Sequence, residues 1–186
     1  MAIKTDGSLW SWGSNSNGQL GDGPTDNHNL PVKIMKNVVD VSAGNHHTLA
    51  LKSDGSFWGW GSNGAGQLGN SASKQQTIPI KIMDHVISIS AGANHTAIIK
   101  SDGALWVWGH NYYSQLGDGA TSNKSIPEKI IENVEFVSAG QFNTIAVKAD
   151  GGLWVWGDNR YGQLGDGTTK TRSLPIKIMT NVRIPK

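Results

Sequence analysis

The chain has 186 residues, the size of one ordinary domain, with 24 glycines, 8 tryptophans and no cysteine. The lack of cysteine excludes a disulfide framework, a thiolate metal site and a thiol nucleophile. A net charge of +2 sets no strong partner preference, no run of about 18 apolar residues occurs, and the opening MAIKTDGSLW has no signal-peptide core; the expectation is a soluble chain, its compartment open.

The first extended segment is Ala2-Ile3-Lys4, followed by an Asp-Gly turn at Asp6 and a strand carrying Trp10 and Trp12. This order returns every 48 residues without insertion or deletion. Asp6, Asp54, Asp102 and Asp150 keep step, as do Gln19, Gln67, Gln115 and Gln163, each opening a Gln-Leu-Gly. Pro31, Pro79, Pro127 and Pro175 follow the same period. A fixed period of this length marks a repeat architecture.

The second repeat resolves into four strands. Strand a is Val38 to Gly44, b is His47 to Lys52, c is Ser56 to Gly61 and d is Ile78 to Met83. Each is short, alternating or β-branched, and bounded by turn residues. Asp54-Gly55 predicts a two-residue hairpin between b and c. Proline near the start of d predicts an edge strand. No apolar period of about 3.6 residues is sustained, so almost no helix is expected.

Four antiparallel strands per repeat describe a propeller blade. The expectation is an all-β propeller in one domain, residues 1–186, with repeats at 1–37, 38–85, 86–133 and 134–181. Residues 182–186 match the start of strand a, so a closing strand is expected to exchange onto a blade begun by an N-terminus. Three closures stay open: a four-bladed monomer, an eight-bladed homodimer, or a piece of a longer protein. Pro185 stands where other repeats have Val41, Ile89 and Val137, and cannot donate to a ladder.

Trp10 and Trp12 lie two apart and share one face of strand c. The same holds for Trp58 and Trp60, Trp106 and Trp108, and Trp154 and Trp156. These eight rings are expected to pack between blades.

The combined pattern resembles the regulator of chromosome condensation repeat: Ser-Ala-Gly-x-x-His-Thr, a strand, Asp-Gly, Trp-x-Trp-Gly, Asn and Gly-Gln-Leu-Gly. The resemblance covers essentially the whole chain. It implies a propeller fold, typically seven-bladed, and far less about function. Members include an exchange factor for the GTPase Ran, a plant ultraviolet-B photoreceptor and bacterial β-lactamase inhibitors. The photoreceptor's Gly-Trp-Arg-His-Thr motif is absent; the matching stretches read GNHHT, GANHT and GQFNT. Four uniform repeats also leave no insertion to wedge into a GTPase.

Antiparallel order puts the a–b and c–d loops on one face of the disc. There the repeats differ, and the candidate binding residues are His46, His110, Tyr112, Tyr113, Phe142, Arg160 and Tyr161. Aromatic side chains and arginine are the types enriched at interaction hot spots. His47 and His95 could serve a metal or acid–base chemistry, but a group that recurs by blade reads as architecture. DNRYGQLGDG lacks the carboxylate ladder of a calcium loop. The glycines precede no helix that could cradle phosphate, and no nucleophile elbow or zinc-protease motif occurs. The recurrent lysines are spread around the ring, which fits edge protection rather than a nucleic-acid footprint. The expectation is a non-catalytic module with no cofactor or metal, binding a protein partner through its loop face. Two alternatives are nucleotide exchange on a small GTPase, and carbohydrate binding with Tyr112, Tyr113 and Tyr161 as stacking platforms.

Overall fold

The computed structural model describes residues 1–184, and every regular element in them is a strand. Among the described residues no helix is long and apolar enough to cross a membrane. The first blade holds β1 (Ala2–Ile3), β2 (Leu9–Gly13) and β3 (His28–Met35). The second holds β4 (Val38–Ala43), β5 (His47–Lys52), β6 (Phe57–Gly61) and β7 (Gln76–Met83). The third holds β8 (Val86–Ala91), β9 (His95–Lys100), β10 (Leu105–Gly109) and β11 (Lys124–Ile131). The fourth holds β12 (Val134–Ala139), β13 (Asn143–Lys148), β14 (Leu153–Gly157) and β15 (Arg172–Met179). Each sheet is antiparallel and runs in chain order, with four strands in the last three blades and three in the first.

Two local expectations change. The Asp54-Gly55 connection is longer than a two-residue hairpin: Lys52 N donates to Ser56 O, and Gly55 N donates to Lys52 O, both at 3.0 Å. Only Gly55 takes a positive φ, 77°, so the loop is Ser53-Asp54-Gly55. This matches the three-residue hairpin that ends in a left-handed glycine. Asp54 makes it work without a positive φ of its own, because its carboxylate accepts from Ser56 N and Ser56 Oγ. The outer strand also begins earlier, at Gln76 rather than Ile78. Gly59 pairs with Ile80 and Gly61 with Gln76, so three residues, including Pro79, stand opposite Trp60. The ladder is interrupted where proline has no N–H to offer.

The cores lie between blades. Leu49, Leu51 and Phe57 of the second blade meet Val86, Ile89, Ile98 and Trp108 of the third. A matching cluster joins Leu105, Val107 and Leu116 to Val137, Ala146 and Trp156. The two tryptophans of each strand c then part company. Trp60, Trp108 and Trp156 are fully buried. Trp10, Trp58, Trp106 and Trp154 are half-buried, each beneath a lysine ammonium 4.5–5.5 Å from the ring centroid. Lys4, Lys52, Lys100 and Lys148 therefore cap the first ring through cation–π contact, beyond any role in solubility.

The predicted closing segment begins with the expected bond, and its described residues, 182–184, join no ladder. Val182 N donates to Gly151 O at 2.9 Å, repeating the Val38–Gly7 and Val134–Gly103 bonds. Residues 182–184 form no strand, and Pro185 and Lys186 lie outside the described residues.

Candidate functional site

The loop face is built by two recurring amides. Asn15, Asn63, Asn111 and Asn159 are buried inside the c–d loop. Each Oδ1 accepts from the leucine N–H of Gln-Leu-Gly, and each Nδ2 donates further along the loop. The glutamine side chain closes the same loop, as in Tyr113 N to Gln115 Oε1 at 3.0 Å. Its backbone carbonyl serves the next blade. Gln67 O accepts from Trp108 Nε1 at 2.9 Å and from Thr96 Oγ1 at 2.7 Å. Gln19 O and Gln115 O do the same for Trp60 with Thr48 and for Trp156 with Thr144.

His47 and His95 lie beneath this face and are buried. His47 Nε2 is 3.3 Å from Thr96 Oγ1, and His95 Nε2 is 3.1 Å from Thr144 Oγ1. Each imidazole thus bridges to the following blade. Burial pushes His47 down to about 4 and His95 down to about 3, with repulsion from neighbouring histidines adding to it. Both rings are neutral near pH 7.

Five of the seven candidate residues converge where the third and fourth blades meet. His110, Tyr112 and Tyr113 come from one c–d loop, Phe142 from the next a–b loop, and Arg160 from the next c–d loop. Tyr113 packs on Phe142 with centroids 4.6 Å apart and on the edge of Tyr112 at 5.2 Å. His110 lies 6.2 Å from Phe142. The Arg160 guanidinium sits 4.6 Å from the Tyr113 centroid. Gln115 Nε2 donates to His110 Nδ1 at 2.7 Å. An amide nitrogen can only donate, so the neutral His110 carries its proton on Nε2. Partial burial holds His110 below the usual imidazole range, which preserves that bond.

Arg160 is aimed by Asp158, which accepts from Nε at 2.9 Å and from Nη2 at 3.0 Å. This fork holds the Asp158 carboxyl below its ordinary range and raises the Arg160 guanidinium further. Asp158 was not among the candidates, yet the signal was present. The position before the buried asparagine reads Ser14, Ser62, His110 and Asp158, so it varies as the binding positions do. Tyr161 is 87% exposed and beside Arg160, at the rim of a cavity of about 420 Å³ walled also by Gln141, Phe142 and Asp158. His46 is exposed on the second blade, away from the cluster.

Four blades with cores between them, one monotonous face and one aromatic face define a β-propeller arc that displays loops. The profile of the RCC1-like domain matches residues 1–185, and the chain belongs to that family. Human protein RCC2 is 46% identical over 54 residues, 27% of this chain and 10% of that protein. The Danio rerio homologue is 43% identical over 54 residues, 27% of this chain and 11% of its own length. Among solved structures, human WBSCR16 matches with a TM-score of 0.86 at 25% identity, over 96% of this chain and 50% of that one. Prp20p from Saccharomyces cerevisiae, described with its binding to Gsp1p and histones, matches at 0.79 and 24% identity, over 93% and 46%. The chain thus spans about half of these solved chains, and the RCC2 matches cover about a tenth of theirs.

Proposed function

We propose that the chain is a non-catalytic protein-interaction module whose partner docks on the aromatic face where the third and fourth blades meet. One observation carries this reading: the aromatic and arginine side chains at non-repeating loop positions gather into a single cluster across two blades. Tyr112 is 70% exposed and Tyr161 87%, so large rings stand in water on a rigid base. Tyr112 binds at low entropic cost because Tyr113 already holds it edge-on. The protein binding described for Prp20p belongs to a propeller of the same fold and agrees with this class of partner.

The test is capture of partners by the immobilised chain, compared with a Tyr112→Ala, Tyr161→Ala double variant. Both rings are exposed, so the fold should survive, as circular dichroism would verify. Capture by wild type that the variant loses supports the face; equal capture by both removes it. The exposed Tyr161 beside a polar cavity gives carbohydrate binding a foothold as a second reading. Signal on a glycan array, lost in Tyr161→Ala, would replace the protein-binding reading. Nucleotide release from a small GTPase would replace it with exchange activity.

A further inference from the structure

Five side chains meet on the loop face at the junction of the third and fourth blades: His110, Tyr112 and Tyr113 from one, Phe142 and Arg160 from the other. Both blades of this junction are described, so the exposure there owes nothing to an open edge. Tyr161 stands outside it. Its counterpart Tyr113 packs on the blade that follows, and no blade follows the fourth among the described residues. The five do not make a flat patch. Tyr112 meets Tyr113 at 86°, Tyr113 is tilted 40° from Phe142, and His110 is tilted 48° from Phe142. The surface is ridged, with a corner at Tyr112, which is 70% exposed.

The polar atoms of this surface are one-sided. Gln115 Nε2 keeps the His110 proton on the ring's Nε2, and that N–H meets no acceptor among the described residues. The Asp158 carboxylate, by contrast, is spent: it is buried and accepts from Arg160 N, Nε and Nη2. Charge is balanced too. Asp118 faces Lys124 at 3.4 Å, Asp158 faces Arg160 at 2.9 Å and Asp166 faces Arg172 at 2.6 Å. Among the described residues this leaves Lys170 as the one unpaired charge of the two long loops. Three kinds of ligand fit poorly here. An anion finds the arginine already neutralised. An ammonium finds the Tyr113 ring already covered by the guanidinium, 4.6 Å away. A sugar finds no free carboxylate to accept from its hydroxyls.

We propose that the occupant of this corner is an uncharged, proline-rich segment of a partner protein in the polyproline II form, which rests on the protein-docking reading of the same face. Complementarity of charge and of donors carries it. Proline brings an apolar ring and a carbonyl but no N–H, so it needs donors and leaves none of its own unanswered. In polyproline II the carbonyls have no internal partners, and one of them can take the free His110 N–H. Three residues of that helix advance about 9 Å. That is the scale of the run from Tyr112 across Tyr113 to Phe142, whose centroids stand 5.2 and 4.6 Å apart in turn. Aromatic-lined grooves receive such segments because the helix is already ordered before it docks. The rings are likewise packed on one another, so little entropy is lost on either side.

Titration calorimetry of the chain with a capped decaproline peptide tests this. Saturable binding is expected. Tyr112→Ala should weaken it about tenfold, as the loss of one aromatic anchor does, with circular dichroism unchanged. Tyr112→Phe keeps the ring and should keep the binding, while His110→Phe removes the donor and should weaken it severalfold. A capped Gly-Ser peptide of equal length should not bind. Absence of decaproline binding overturns the proposal, as does equal binding of the Gly-Ser peptide or indifference to Tyr112→Ala. Tighter binding of an acidic peptide or an oligosaccharide, lost in Tyr112→Ala, overturns it in favour of that ligand. The docking face is judged separately. If decaproline fails while partner capture is still lost in the Tyr112→Ala, Tyr161→Ala double variant, the face stands and the proline class falls.

Discussion

Trp108 and Trp12 stand at the same register position of strand c, two repeats apart. One is fully buried with its Nε1 on the Gln67 carbonyl; the other is 42% exposed. Little local separates them: each stands two residues after a tryptophan and precedes a glycine, with Ser11 in one strand where the other has Val107. The difference is the blade in front: among the described residues Trp108 packs against a preceding blade and Trp12 does not. The stabilising unit of this molecule is thus the junction between repeats, as expected where a single repeat cannot bury its own apolar face.

The largest expected break in the comparison is Trp108→Ala. It empties a buried site between the second and third blades and should cost about 3–5 kcal/mol in denaturant unfolding. Next comes acid. Below pH 6.5 the unfolded chain protonates its histidines, while His47 stays neutral until about pH 4 and His95 until about pH 3. The folded state then binds fewer protons than the unfolded state, so stability falls as pH drops through that window, by about 3 kcal/mol for His47 and about 5 kcal/mol for His95. His95→Asn, copying Asn143 of the fourth repeat, should flatten that slope and change little at pH 7. A pH series of urea melts checks both.

A paired substitution sharpens the same contrast. Gly117→Ala puts a Cβ 2.7 Å from the Trp156 ring at φ +76°, so it should cost about 2–4 kcal/mol from overpacking and left-handed strain together. Gly165→Ala, at φ +71° with only Ile178 nearby, carries the strain alone, about 1–2 kcal/mol. Equal losses in thermal melts would show that the junction plays no part. The smallest expected effect is Thr96→Val, which removes the hydroxyl shared by the Gln67 carbonyl and His47, for about 1–2 kcal/mol.

Much of the frame was legible in the sequence. Alternation within VVDVSAG and HTLALK, Asp-Gly turns, and a proline in each outer strand placed the strands within two residues. Gln67-Leu68-Gly69 could be read as a loop dock, yet its carbonyl's two donors lie 29 and 41 residues further on, in the next blade. The candidate face was legible as a list, because Tyr112-Tyr113 and Arg160-Tyr161 stand where the first two repeats have Ser16-Asn17 and Gly64-Ala65. Its assembly was not, since Phe142 and Arg160 reach Tyr113 only when two blades stand side by side. His46 belongs to the same list and stays apart for the same reason.

By itself the sequence determined the repeat, the strands and the shared face of each tryptophan pair, because turn chemistry and the period of a strand act over a few residues. Only the tertiary structure decided which indole is buried, which hydroxyl each histidine meets, and that Arg160 lies over Tyr113. Those outcomes depend on a neighbour one repeat away, and local preference carries no information about which blade stands there.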